Sequence, residues 1–155
     1  FDSVRAEEWA KMKNRGASSM RQFFNTEAED VATTVFIFRS DRTNAFQSEY
    51  QSFDSARDVD YVESCREVNK MMYEFFDDAV PDASLDSNSF QEIVDGKLFQ
   101  GFKVTVTISD TKKIETIVYN RLIGDKTLTV NIATVDKEKQ WVLLKAFRES
   151  KFLEE

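Results

Sequence analysis

The sequence predicts an α+β domain on an antiparallel sheet of about six strands, with helices packed against it. Two observations carry this. Between residues 90 and 135 four segments rich in alternating apolar residues follow one another across short turns. Segments of helical period precede, interrupt and close the strands, at 4–24, 58–80 and 137–152.

The elements run in this order. Over 4–24, Trp9, Met12, Gly16, Met20, Phe23 and Phe24 recur at helical steps, weakened in the middle by Gly16. "VATTVFIFR" (31–39) is β-branched and aromatic and predicts a strand, and "SDRTN" (40–44) reads as a turn. "AFQSEYQSF" (45–53) alternates and predicts the next strand. The clearest helix is 58–80, where Tyr61, Cys65, Val68, Met72, Phe75 or Phe76, and Ala79 form one face. Asp58 is its expected N-cap and Pro81 its stop.

"FQEIV" (90–94) then meets Asp95-Gly96, a two-residue hairpin signal. "KLFQGFKVTVTIS" (97–109) is a long strand with Leu98, Phe102, Val104, Val106 and Ile108 marking one face. Turns near Asp110–Lys112 and at Gly124-Asp125 set off strands at 114–123 and 126–135, completing a four-strand meander. At the last strand-to-helix corner Asp136 reads as a cap rather than a catalytic acid, and Trp141, Leu144 and Phe147 follow at three-residue steps as the face turned to the sheet.

The 155 residues suit a single domain (1–155) with a sizeable core. Fourteen Phe against four Gly and one Pro argue for regular elements around an aromatic interior. The net charge of −7 is unevenly spread: +2 over 1–25, −12 over 26–96 and +3 over 97–155. An acidic middle disfavours nucleic-acid backbones and anionic lipid, and tolerates a basic protein partner or a cation. Cys65 is the only cysteine, so no internal disulfide forms. No apolar run approaches the roughly 18 residues of a membrane-spanning helix. The lone thiol suits a cytoplasmic setting and equally an exported or lipid-anchored one, and the sequence opens at Phe1 with no leader to read.

Absences narrow the chemistry. With no His the commonest general base, the Ser-His-Asp and Cys-His arrangements and the commonest transition-metal ligand are missing. One Cys builds no CxxC site, and the glycines lie in no phosphate-cradling spacing, so no cofactor or metal is expected. Asp54, Asp58, Asp60 and Glu63 superficially resemble a calcium loop but lack its turn glycine and ligand spacing. Glu74 and Asp78 share a helix face and could pair as acid and base, yet nothing converges on them in sequence. Met71, Met72, Tyr73, Phe75 and Phe76 could line a ligand or lipid cavity, though such a stripe is more often core; Tyr73 falls off the main face and is the better interface candidate.

Five stretches together resemble the PsbP-like superfamily, which includes Ran-binding Mog proteins and bacterial DcrB-like lipoproteins: "NAFQSEYQSFD" (44–54), "YVESCREVNKMMYEFF" (61–76), "PDASLD" (81–86), "VDGKLFQGFKVTV" (94–106) and "RLIGDKTLTVNIATVDKEKQWVLLKAFRESKF" (121–152). The order of these stretches, not any single one, carries the match, which covers about 44–152 and points to a bacterial branch; residues 1–40 fit it less well. The resemblance implies helices on both faces of the sheet, an α-β-α sandwich, and a non-enzymatic binding or assembly role; it implies no catalytic residue. The expected function is a protein-binding module, with an exposed sheet edge or an acidic surface formed by Asp54, Asp58, Asp60, Glu63, Tyr73, Glu74, Asp77 and Asp78. A small-ligand or lipid carrier is the alternative, and a carboxylate enzyme the third.

Overall fold

The computed structural model describes residues 2–3, 33–39, 41, 43–53 and 60–152; the helix expected over 4–24 lies outside them. The described chain forms one antiparallel sheet of 7 strands in the order β1-β2-β3-β7-β6-β5-β4. The strands are β1 (Asp2–Ser3), β2 (Thr33–Arg39), β3 (Ala45–Ser52), β4 (Ser84–Val94), β5 (Lys97–Ser109), β6 (Lys112–Ile123) and β7 (Lys126–Thr134). Two helices accompany them, α1 (Tyr61–Ala79) between β3 and β4 and α2 (Lys137–Arg148) after β7.

The meander follows from its turns. Asp95 and Gly96 take φ of 50° and 72°, the paired positive φ of a type I′ turn, so β4 and β5 zip from Val94↔Lys97 to Ser84↔Thr107. Gly124, at φ 60°, turns β6 into β7. β4 starts six residues earlier than the expected 90–94 segment. Its first half, "SLDSNS", is polar because it forms the border of the sheet, where alternation is not enforced by burial on either side.

Strand alternation divides the core in two. Phe99, Ile117, Tyr119, Val130 and Ile132 gather with Leu143 and Phe147 of α2. Phe102, Val104 and Val106 gather with Met72, Tyr73 and Phe76 of α1. Tyr119 stacks with Phe90 at 5.6 Å and Phe147 at 4.5 Å, and Phe99 with Phe147 at 5.3 Å. Such pairs add about 0.5–1.5 kcal/mol each beyond their buried area. Gly101 faces Phe90 across the hairpin, and the Phe90 ring occupies the space a Cβ would need.

Several expectations are corrected here. The N-cap of α1 is Asp60, not Asp58: its carboxylate accepts from Val62 N and Glu63 N. Asp58 itself lies outside the described residues. Val68 and Ala79 are exposed, and Tyr73 turns inward in their place, because the buried face runs Cys65, Asn69, Met72, Tyr73, Phe76. Leu98 and Ile108 are exposed, at the ends of β5 beyond the stretch that α1 covers. Trp141 is 60% exposed. Three-residue steps fall back about 60° per step around a helix, so Trp141 cannot share a face with the buried Phe147; Leu143 does, one turn before it. Trp141 instead lies under the Lys145 ammonium, 5.2 Å from the ring centroid.

α2 is fastened at both ends. Asp136 caps it, accepting from Glu138 N and Lys139 N, as its position in sequence predicts. The buried Asn44 Oδ1 accepts from Val135 N at 3.1 Å and Asp136 N at 3.2 Å, tying the β2–β3 turn to this corner. Asn44 Nδ2 donates to both Asp41 carboxylate oxygens, and Lys139 Nζ reaches Asp41 Oδ2 at 3.0 Å. At the far end Arg148 pairs with Glu92, while Asp95 accepts from Lys151 Nζ and Phe152 N.

Two substitutions test these contacts. Gly101→Ala displaces Phe90 from Tyr119 and is expected to cost about 1–3 kcal/mol. Asn44→Ala leaves two part-buried N–H groups without their partner and should cost roughly 1–2 kcal/mol, about 2–8 °C in melting temperature. Thermal denaturation followed by circular dichroism measures both, and unchanged melting would contradict these roles.

Candidate functional site

The expected acidic surface divides into groups that are structurally committed and groups that are not. Asp54 and Asp58 lie outside the described residues. Asp60 is committed to the α1 cap, where its Oδ1 accepts from Val62 N at 2.9 Å and Glu63 N at 3.2 Å. Glu63 pairs with Arg66 at 2.9 Å and Glu74 with Lys70 at 3.8 Å. Both are exposed helix pairs of the kind that contribute only a few tenths of a kcal/mol. Tyr73 is half-buried in the α1–sheet cluster, so it is core rather than the interface residue the sequence suggests.

Asp77 and Asp78 are exposed on the last turn of α1. That turn carries no basic residue. Carboxylates there face the partial negative charge of the helix C-terminus, so helix stability does not account for them. The chain then turns at Pro81, exposes Asp82, and enters β4, where Asp86 is exposed. Among the described residues none of these four forms an ion pair. Asp82 and Asp86 were missed because 81–89 reads as loop. One signal could have found them: the two arms of a hairpin match, and the apolar run to Ile108 requires a partner arm reaching back to about residue 84.

Glu74 and Asp78, the pair named for carboxylate chemistry, are both exposed. Met72 and Phe76, named for a carrier cavity, pack on Phe102, Val104 and Val106. Cys65 is buried and burial pushes its thiol up, with the Tyr61 hydroxyl opposing. Among the described residues no three Cys, Asp or Glu side chains gather as metal ligands, and no helix is long and apolar enough to cross a membrane.

The perturbed carboxylates serve the fold. Burial would raise Glu92, but hydrogen bonds from Arg148 Nε at 2.5 Å and the Tyr119 hydroxyl at 2.8 Å outweigh it and hold the acid low. Burial and the Glu92 carboxylate together push Tyr119 up. Burial likewise opposes Glu115, and Lys103 at 2.9 Å with Gln140 at 2.6 Å keeps it low. Asp41 is held far down by the Thr43 hydroxyl and amide, then Lys139 and Asn44. Asp95 is lowered by Phe152 N and Lys151.

No protein-family model matches the chain, and no curated protein matches it. Among solved structures it is similar to the solution structure of cyanobacterial PsbP (CyanoP) from Synechocystis sp. PCC 6803, at 15% identity over 79% of each chain, with a TM-score of 0.45.

These shifts set an acid limit. Carboxylates depressed in the fold contribute stability that is present above their unfolded values and lost as pH falls through the folded ones. Melting temperature should therefore hold at neutral pH and fall once pH drops below the ordinary 4.5 of Glu and 3.8 of Asp. Glu92→Gln should be less stable at pH 7 and show a shallower acid decline; a parallel decline would remove the Glu92 network from the account.

Proposed function

We propose that the chain is a non-enzymatic module that binds another protein, through the acidic corner where α1 ends and β4 begins. One observation carries the reading. Asp77, Asp78, Asp82 and Asp86 are exposed and unpaired among the described residues, two of them where a helix disfavours negative charge. Asp60, Glu63, Glu74, Glu92, Asp95, Glu115 and Asp136, by contrast, are engaged in capping or pairing. Charges kept at a cost to the fold are the ones to assign to a partner, and their sign asks for a basic one.

The same reading takes the chain as a bacterial member of the PsbP-like superfamily, of the Mog and DcrB-like branch, with an α-β-α layering. Its support is the order of the five stretches and the placement of the Asp95-Gly96 hairpin, the Gly124 turn and the closing helix within them.

Asp77→Asn/Asp78→Asn supplies the test. Relief at the helix C-terminus should raise stability by a few tenths to about 1 kcal/mol. The same change should reduce recovery of a stoichiometric, cross-linked partner from the native cell, and raised salt should do so for the parent protein. Stabilisation with undiminished, salt-independent recovery would contradict the assignment.

A further inference from the structure

β4 borders the sheet and, among the described residues, pairs with β5 alone. It is long for an edge strand, 11 residues, and its pairing runs from Ser84 to Val94 without a bulge. Native edges are usually blunted by shortness, bulges, Pro or Lys, because an open row of N–H and C=O groups templates a further strand. β4 has no Pro, Lys or bulge; its charges are Asp86 and Glu92. Asp86, Ser87, Asn88 and Ser89 are exposed in succession, so neither face of this stretch is covered.

The hairpin says which backbone groups are open. A two-residue turn makes Val94 and Lys97 a hydrogen-bonded pair. Even-numbered residues of β4 therefore bond to β5. Leu85, Ser87, Ser89, Gln91 and Ile93 direct their N–H and C=O groups away from the sheet.

The two ends of the edge differ in chemistry. Asp82 follows the end of α1 and precedes β4, and Asp86 lies near the start of β4, opposite Thr105 on the face of the sheet turned away from α1. At its end Ile93 is 69% exposed beside its cross-strand partner Leu98, also exposed. A second copy fits this edge poorly. Two β4 strands in full antiparallel register would set Asp86 of one opposite Glu92 of the other, and like charges directly opposite are destabilising. Parallel in-register pairing would set acid on acid again.

Resting on the protein-binding reading above, we infer that β4 takes an extended segment of another protein as an eighth strand. The segment runs antiparallel to β4, with an apolar residue opposite Ile93 and basic residues opposite Asp86 and onward to Asp82. Main-chain bonds to the odd-numbered residues supply affinity, and the two chemically distinct ends set direction.

The probe is a blocked synthetic peptide of alternating Thr and Val, with Val opposite Ile93 and Lys opposite Asp86 and beyond. A second peptide carries Glu in place of Lys. The lysine peptide should bind in titration calorimetry at least tenfold more tightly than the glutamate peptide, and should slow amide exchange at Ser87, Ser89 and Gln91. Ser89→Pro removes one outward N–H and should weaken binding at least tenfold. Should that variant fold poorly, Ser87→Lys/Ser89→Lys leaves every backbone group in place and should weaken the lysine peptide to the same degree. Equal binding by the double-lysine variant overturns the edge assignment, as does failure of both peptides. Loss on Asp77→Asn/Asp78→Asn, with retention by the double-lysine variant, moves the site to α1: the edge proposal falls while the protein-binding reading stands. Absence of any cross-linked partner for the parent protein from the native cell removes that reading itself. A parent dimer in sedimentation that the double-lysine variant lacks replaces the proposed occupant with a second copy.

Discussion

The burial of β5 on both faces is the constraint on which the other elements depend. Phe99 and Val104 are each 0% exposed, on opposite sides of the same strand. A one-residue slip would exchange the two faces, carry Lys103 and Thr105 toward α1, and take Gly101 away from Phe90. Register with β4 is therefore held by a glycine and an aromatic ring, and register with β6 by both core clusters. With β5 in place, α1 has one cluster to cover and α2 the other. The polar clasps at Asn44, Glu92 and Asp95 then fix where α2 lies on its cluster.

What was legible in the sequence tracks how strongly burial disciplines each segment. β5, β6 and β7 are alternating and bounded by turn residues, and their expected limits fall within two residues of the observed ones. The Asp136 cap follows from a carboxylate placed before a helical run. The first half of β4 was not legible, since an edge strand has one neighbour and exposed side chains, and its composition matches that of a loop. Asp58 and Asp60 are chemically equal candidates for one cap, and sequence does not say where the first turn closes. Trp141 and Tyr73 exchange roles with their expectations for a shared reason. Hydrophobicity names residues able to be buried, while the sheet selects which stripe of the helix is used.

The acidic site was legible in its charge and not in its layout. Counting carboxylates across the middle of the chain includes Asp60, Glu63 and Glu74, each already engaged by the fold or a neighbouring base. It leaves open which of the rest stand together. The structure separates these groups from Asp77 and Asp78 at the end of α1 and from Asp82 and Asp86 at the start of β4, an edge that among the described residues pairs with β5 alone. In the proposed reading charge and open backbone act on the same partner, the first through steering and specificity and the second through main-chain bonds.

Amide hydrogen exchange along β4 in the protein alone tests the central claim, an edge open on one side only, most directly. The account predicts alternation: Asp86, Asn88, Phe90 and Glu92 slow, bonded to β5, and Ser87, Ser89 and Gln91 fast, facing water. Uniform protection along the strand would show the edge already covered and would contradict the account.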